Sequence, residues 1–382
     1  MNLTISRRAF ADLVGVVAPA AMSKTNAILA GILLVADDFG RLVASATDYD
    51  LEIQSWVEAD VGEPGAIVIP AAILARALAV LGGDTVTLAT RGGDGGGVLA
   101  GGGATFEFQG FDAAEFPAIE PPTASSRRVE IPAATLAAGI AGTLPFASEN
   151  ESHAALCNVR LVIDGPAFAF AATDRNRLGA YEGRFGASLG RGAWLLSRGM
   201  ATAIAAAIGR TDAATWIDVD GRKLLAVVGP TSIRGRTSDE SFPDYRRVIP
   251  AADPGASVVV DRARLHDAIR RVMVLAERDR EGLMRVALTF GGEDGVTVSA
   301  TMATVGKARD AFDLFGTRAD GRVVQVGVSP AYCIAALAVF KSAEHVTIQA
   351  ATPTSPLLFS SPAIPGLVHV CMPMRLGPPA AA

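Results

Sequence analysis

The sequence predicts an α+β protein in which one structural unit occurs three times along a chain of 382 residues. Two series of repeats predict this fold class. In the first, a short β-rich run leads into a helical stretch, and this layout begins at Leu3, Val129 and Val258. The second series has the same layout and begins midway through each unit. Since self-similarity at a regular interval marks repeated structural units, the chain is expected to hold three domains of about 125 residues each.

The first series predicts helices over residues 7–17, 133–143 and 262–272. When the three stretches are aligned, apolar residues coincide at two positions that are four residues apart, which places them on one face of a helix. These positions are Phe10, Leu136 and Leu265, and then Val14, Ile140 and Ile269.

The second series predicts helices over residues 71–81, 198–208 and 330–340. They begin after Pro70, Ser197 and Ser329, and serine or proline at a helix start is typical of a cap or a first helical position. Further strands are predicted between the helices, over residues 31–35, 42–46, 51–57, 85–88, 160–163, 167–171, 215–219, 286–290, 296–299 and 346–349.

Proline-rich stretches at 116–122 and 249–254 indicate the joints between units. The predicted domains are therefore residues 1–124, 125–252 and 253–377, followed by a short tail at 378–382. The glycine-rich run 92–103 lies between two predicted strands and precedes no helix, so it is interpreted as a long hairpin tip and not as a phosphate-binding loop.

The segment 370–376 is apolar, rich in methionine and interrupted by Pro373. Because proline cannot donate to a central ladder, the segment is expected to form an edge strand or a bulge. Flexible methionine side chains there suit a surface that accepts different apolar groups. The alternative is a C-terminal strand that only covers a core.

Composition excludes several classes of protein. Half of the residues are hydrophobic and no apolar run approaches the about 18 residues that span a bilayer. The N-terminus lacks the apolar segment of a signal peptide, which predicts a cytoplasmic protein. Cys157, Cys333 and Cys371 are expected to be reduced core thiols. A net charge of -5 argues against coating DNA by charge alone, although it allows a local basic face.

Nothing in the sequence indicates an enzyme. The four histidines, His153, His266, His345 and His369, lack metal-ligand spacing, and no phosphate-binding loop or nucleophile–histidine–acid signature occurs. No cofactor, no metal and no intrinsic catalytic activity are expected.

Several motifs in this threefold chain resemble those of a known family. They are Thr47-Asp48-Tyr49-Asp50-Leu51-Glu52, Asp112-Ala113-Ala114-Glu115-Phe116-Pro117, Ala172-Thr173-Asp174-Arg175-Asn176-Arg177-Leu178, Phe242-Pro243-Asp244-Tyr245-Arg246-Arg247-Val248-Ile249-Pro250 and Met372-Pro373-Met374-Arg375-Leu376. On these residues the chain resembles the bacterial DNA polymerase III beta subunit, the sliding clamp. The resemblance covers essentially residues 1–377.

The resemblance implies three clamp domains, each with two helices packed on antiparallel sheets, and a head-to-tail homodimer that forms a six-domain ring. It implies a processivity factor that encircles duplex DNA without reading its sequence and tethers the replicative polymerase. The implied partners are the polymerase III alpha subunit, the clamp loader, and other polymerases and repair proteins, which bind through linear peptides. A head-to-tail contact closes when its rotation fits, so two chains of three domains suffice.

Residue by residue, the resemblance also implies three sets of functional positions. The peptide-binding pocket comprises Leu156, Thr173, Arg175, Arg177, Leu178, Pro243, Val248, Pro356, Val370, Met372, Pro373, Met374 and Arg375. The candidate DNA contacts are Arg198 and Arg247, which match family positions, and Lys24, which lies near one. The candidate dimer contacts are Phe106 and Phe108 from the first domain, with Val274 and Leu275 from the third.

Two departures from the family pattern bear on partner choice. Arg175-Asn176 stands where many clamps have Gly-His, and Ala154-Ala155 stands where some have aromatic residues. The alternative functions are a non-catalytic repeat scaffold that never encircles DNA, and a divergent second-copy clamp with altered partner preference.

Overall fold

The repeated layout of strand, helix and further strands is present throughout the computed structural model. It describes residues 1–91, 95–119, 128–209, 215–220, 223–238, 240–250, 256–278, 282–291, 295–302, 304–313 and 323–376. Within these ranges all strand pairings are antiparallel.

The helices lie where the repeats predict them. In chain order the described residues form α1 (Arg7–Val17), α2 (Ala71–Val80), α3 (Ala133–Thr143), α4 (Arg198–Ile208), α5 (Arg262–Val272) and α6 (Pro330–Val339). The Ser197 hydroxyl caps α4 by accepting from the Met200 amide at 3.2 Å, and the Asp261 carboxylate caps α5 by accepting from the Arg264 amide at 2.7 Å. α2 ends one residue early because Leu81 is extended.

The strands outnumber the helices, which confirms the strand-rich α+β class. They are β1 (Asn2–Ser6), β2 (Gly31–Ala36), β3 (Arg41–Thr47), β4 (Leu51–Glu58), β5 (Asp60–Glu63), β6 (Gly65–Pro70), β7 (Thr85–Thr90), β8 (Gly96–Gly101), β9 (Ala104–Gln109), β10 (Val129–Ile131), β11 (Asn158–Asp164), β12 (Ala167–Thr173), β13 (Arg177–Arg184), β14 (Arg191–Ser197), β15 (Thr215–Asp220), β16 (Lys223–Val228), β17 (Thr231–Arg236), β18 (Ala256–Asp261), β19 (Val286–Phe290), β20 (Val296–Met302), β21 (Gly306–Phe312), β22 (Val324–Val328), β23 (His345–Ala350), β24 (Leu357–Ser360) and β25 (Leu367–Cys371).

Half of the glycine-rich run 92–103 forms a strand, contrary to the prediction of a long hairpin tip. Its residues 96–101 form β8, which is paired on both sides with β7 and β9, while residues 92–94 lie outside the described part of the chain. At position 97 an added Cβ would lie 2.7 Å from Ile67 Cδ1, so this glycine packs closely against a side chain of β6.

The described chain divides into two compact units. Unit 1 comprises residues 1–138 and 196–238, and unit 2 comprises residues 139–195 and 239–382. Unit 1 contains a five-stranded sheet in the order β5-β1-β7-β8-β9 and an eight-stranded sheet in the order β10-β15-β16-β17-β4-β3-β2-β6. Helix α1 buries Phe10 and Leu13 against this unit and contacts α2, α4 and β4.

Unit 2 contains a second eight-stranded sheet, in the order β14-β11-β12-β13-β25-β24-β23-β18, and a four-stranded sheet in the order β21-β20-β19-β22. Its main core includes Leu265, Phe290, Leu337, Phe340 and Phe359. A smaller apolar cluster lies beside β13 and β25 and is formed by Ala171, Leu178, Ala180, Tyr245, Leu358 and Val370.

The predicted division into three domains stays a prediction. Its two internal boundaries, at 124/125 and 252/253, and the tail at 378–382 lie outside the described residues. No disulfide joins Cys157, Cys333 and Cys371, of which Cys333 and Cys371 are buried and Cys157 is partly buried. Among the described helices, none combines the length and the apolar character needed to cross a membrane.

Candidate functional site

An apolar cavity of about 260 Å³ opens on the surface of unit 2. Three segments form its walls: the turn between β12 and β13, a short 3-10 helix at Tyr245–Val248, and the end of β25. Its lining residues are Leu156, Thr173, Arg175, Asn176, Arg177, Leu178, Pro243, Asp244, Tyr245, Val248, Val370 and Met372.

The turn between β12 and β13 is held by its own side chains. The Asp174 carboxylate accepts from the Asn176 amide at 3.0 Å and from the Arg177 amide at 2.7 Å. The Thr173 hydroxyl accepts from the Arg175 amide at 3.1 Å, and Arg175 has a φ of 76°. Threonine and aspartate favour such turns because their oxygens replace backbone acceptors, so the wall is set locally by the sequence.

Arg177 is held in place by the protein itself. Its guanidinium donates to Asp174 Oδ2 from Nε at 2.8 Å and from Nη2 at 2.7 Å. The same group lies 4.7 Å from the ring centre of Tyr332 and 5.6 Å from that of Phe146. The guanidinium is therefore paired with an acidic group of this chain, and the arginine supports the turn as a positioning residue.

Strand β25 provides the apolar floor of the cavity. Val370 is paired with Leu178 of β13, and the Met372 amide donates to the Asn176 carbonyl at 2.8 Å. The strand ends at Cys371 and lies between β13 and β24, so the prediction of an edge strand through Pro373 was wrong. The proline follows the last ladder position, where no amide hydrogen is required.

The segment 245–248, which forms another wall, is anchored by Tyr245. Its hydroxyl donates to Glu182 Oε1, and its side chain is buried. Burial, together with the hydrogen bond to Glu182, raises the pKa of Tyr245 above its ordinary value, which keeps the phenol neutral. Val248 and Met372 are 43% and 39% exposed, so this apolar surface is open to a guest.

Nine of the thirteen residues predicted for the pocket line this cavity: Leu156, Thr173, Arg175, Arg177, Leu178, Pro243, Val248, Val370 and Met372. The other four are absent from the lining. Met374 pairs with Gly327, and the Arg375 carbonyl accepts from Arg285 at 2.7 Å. Pro373 lies between Met372 and Met374, and Pro356 precedes β24. Sequence reasoning missed Asn176, Asp244 and Tyr245, although all three lie inside the motifs that predicted the pocket.

The segment that contains Ala154-Ala155 contributes little to the cavity. It is a 3-10 helix at Glu151–Cys157, of which only Leu156 is among the lining residues. The Ala155 side chain is buried, and its amide donates to Glu240 Oε2 at 2.7 Å.

The predicted DNA contacts occupy surface positions. Lys24 is exposed, Arg198 is the partly exposed first residue of α4, and the exposed Arg247 pairs with Asp244 at 3.0 Å. A role in DNA binding stays a prediction for each.

The predicted dimer contacts lie on a terminal strand and in a short 3-10 helix. Phe106 and Phe108 stack 6.5 Å apart on β9, the terminal strand of its sheet. Val274 is 76% exposed in a 3-10 helix at Met273–Leu275.

Comparison with known proteins identifies the family. The model of the N-terminal domain of the DNA polymerase III beta subunit matches residues 1–120, and the model of the C-terminal domain matches residues 246–375. The chain belongs to the DNA polymerase III beta subunit family. The beta sliding clamp of Synechococcus elongatus is 27% identical to it over 386 aligned residues, which cover 98% of this chain and 100% of that protein.

Solved beta subunits share the fold. The one from Thermotoga maritima superposes with a TM-score of 0.86 at 23% identity, covering 98% of this chain and 100% of that chain. A sliding clamp from Bartonella birtlesii bound to griselimycin gives a TM-score of 0.84 at 22% identity, with the same coverage. The chain is a DNA sliding clamp, a non-catalytic processivity factor, as the motifs predicted.

The clamp has no arrangement typical of a metal enzyme in the part of the chain that the structure describes. No group of three or more histidine, cysteine, aspartate or glutamate side chains is placed there to hold a metal ion. Clamps bind DNA, and they bind polymerase and other proteins through a peptide pocket. The apolar cavity is suited to binding, because it has an apolar floor and a few fixed polar groups at its margin.

Proposed function

We propose that this clamp closes head to tail with a second copy around duplex DNA in the cytoplasm, and that the apolar cavity of unit 2 is its peptide-binding pocket. The partners would be the polymerase III alpha subunit, the clamp loader, and other polymerases and repair proteins. The observation that carries the proposal is the cavity itself, in which side chains from three separate motifs meet. Its open apolar walls fit leucine and phenylalanine anchors of a linear peptide.

Ring closure is supported by two unpaired sheet edges. Among the described strands, β9 ends the five-stranded sheet of unit 1, and β21 ends the four-stranded sheet of unit 2. An unpaired strand offers free backbone donors and acceptors to a second chain. Because the two edges differ, a contact between them would be head to tail, and such a contact forms a ring when its rotation closes.

A closed ring would retain DNA even though the protein has a net charge of -5. Binding through phosphate contacts alone is weakened strongly by salt, whereas a closed ring leaves DNA only by opening or by sliding off an end. Contacts with the duplex then need no sequence specificity.

Retention on circular DNA tests the encirclement. Clamps loaded by the clamp loader onto nicked circles are expected to remain bound during gel filtration in high salt, and to be lost once a restriction enzyme linearises the circle. Equal retention on circular and linear DNA would contradict encirclement and would favour a binding scaffold.

Dimerisation is expected to depend on Val274. The substitution Val274→Asp should weaken the dimer at least about tenfold, because it places a carboxylate in an apolar contact. Sedimentation equilibrium at micromolar concentration measures this. Val80→Asp is the matched control, since Val80 is 72% exposed at the end of α2 and is not among the predicted dimer contacts. A wild-type chain that is monomeric at this concentration would overturn the ring, and an unchanged dimer in Val274→Asp would remove this residue from the interface.

A further inference from the structure

A second cavity, of about 320 Å³ and mainly polar, adjoins the apolar cavity in unit 2. The two cavities share the residues of one turn, Arg175, Asn176 and Arg177. The other residues that line this polar cavity are Ala147, Ser148, Glu149, Asn150, His153 and Asp174. A peptide whose anchors fill the apolar cavity therefore has a polar compartment beside it, across the shared turn.

Most charged side chains around the two cavities are already paired within the protein. Asp174 is paired with Arg177 at 2.7 Å, and Asp244 is paired with Arg247 at 3.0 Å. Two charged groups remain, Arg175 and Glu149, and both are exposed. Within the described residues, neither forms an ion pair. Of these two, Arg175 lines both cavities, whereas Glu149 lines only the polar one.

The backbone presents Arg175 from a fixed position. Its amide donates to Thr173, and the amides of the next two residues donate to Asp174. The turn itself is held by the Asp174–Arg177 pair. A guanidinium stays charged at any physiological pH and forms paired hydrogen bonds to a carboxylate. A permanently cationic side chain on a fixed backbone thus stands at the boundary between the two cavities, and no ion pair is formed by it among the described residues.

We propose that Arg175 makes this pocket selective for peptides that carry an aspartate or glutamate beside their apolar anchors. The inference rests on the proposed peptide-binding function of the apolar cavity. An acidic side chain beside Arg175 pairs with it, while one beside Glu149 is repelled. Arg175 is therefore a specificity-determining residue in addition to its place in the cavity wall.

Fluorescence polarisation with labelled pentapeptides of the pattern Gln-Xaa-Xaa-Leu-Phe tests the proposal. Each variable position carries aspartate in one peptide and asparagine in its partner, the other position being alanine. At low salt, wild-type protein is expected to bind one aspartate peptide roughly fivefold more tightly than its asparagine partner, the size of effect typical of a partly exposed ion pair. The preference should shrink as salt is raised.

Variants of the arginine assign the effect to its charge. Arg175→Gln should abolish the preference, and Arg175→Glu should replace it with a preference for lysine at the same peptide position. The matched control is Arg184→Glu, which makes the same change in charge at the other, exposed end of β13. That end lies about 20 Å along the strand, well beyond the distance of an ion pair, so the preference should persist.

Failure of this inference is distinguishable from failure of the proposed function. Equal affinity for aspartate and asparagine at both positions, or a preference that survives in Arg175→Gln, overturns the role of Arg175 and leaves the pocket intact. Absence of binding by every peptide overturns the proposed pocket itself.

Discussion

Replacing both Val248 and Met372 by aspartate is expected to abolish binding of a Gln-Xaa-Xaa-Leu-Phe peptide while leaving the fold intact. Both residues line the apolar cavity, from two separate segments, and both are more than one third exposed. An apolar anchor that enters the altered cavity would have to desolvate two carboxylates without supplying partners, which should weaken binding by at least about 100-fold. Fluorescence polarisation measures the affinity, and thermal unfolding checks the fold.

Exposed residues are chosen because a substitution at a buried lining residue would lower the stability of the fold as well as the peptide affinity. Leu178 lines the cavity but is only 2% exposed and belongs to the apolar cluster with Tyr245 and Val370, so truncating it to alanine should cost about 2–5 kcal/mol of unfolding free energy. The matched control is Val323→Asp, which introduces the same group at a 61% exposed valine that does not line the cavity. Peptide affinity within threefold of wild type in the double variant would contradict the pocket.

Mild acid is expected to destabilise unit 2 through His369. This residue of β25 is fully buried, and neither ring nitrogen has a hydrogen-bond partner. Its ring lies 4.2 Å from that of Phe146 and 5.3 Å from that of Phe340. Burial lowers the pKa of His369 to about 3, because the charged imidazolium would lose its hydration among aromatic rings.

The sign of the effect follows from proton uptake. The unfolded chain binds a proton at this histidine below about pH 6.5, whereas the folded chain does not until about pH 3. The free energy of unfolding is therefore unaffected by protonation of this histidine above about pH 6.5. As the pH falls from about 6.5 toward 3, it decreases by about 1.4 kcal/mol per pH unit. Between pH 7.5 and pH 5 the expected loss of unfolding free energy is about 2 kcal/mol.

Urea denaturation followed by circular dichroism across that pH range measures the loss. In His369→Phe the titrating group and its unpartnered nitrogens are absent, so the dependence on pH should be smaller by about 2 kcal/mol. His345→Gln is the control, since it removes a partly exposed histidine from β23. An equal dependence on pH in wild type and His369→Phe would show that this histidine does not titrate as its environment implies.

The local elements were predictable because their signals are local. The starts of all six helices and the span of β19 follow from apolar spacing and from the residues that precede each helix. The failures occurred where long-range pairing overrides local composition. Glycine-rich residues 96–101 form a central strand because two neighbouring strands pair with them, and β25 ends before Pro373 because its ladders end there.

The cavity also shows what local sequence signals cannot predict. The turn between β12 and β13 that borders it has a second copy in unit 1. Thr47–Leu51 in unit 1 repeats the hydrogen bonds of Thr173–Arg177, with Tyr49 at a φ of 73° where Arg175 has 76°. Even the next contact is repeated, since the Arg236 amide donates to the Asp50 carbonyl as the Met372 amide donates to Asn176. The two similar stretches of sequence therefore adopt the same backbone conformation.

The side chains that cross-strand pairing brings onto that backbone differ. In unit 2, Leu178 is paired with Val370, and an apolar cavity remains beside them. In unit 1 the corresponding pair is Glu52 with Arg234, which form a largely buried ion pair. The helices and the family could both be inferred from residues close together in the chain. That one copy of the turn borders an apolar cavity and the other an ion pair depends on strands far apart in sequence, since strand register decides which side chains meet.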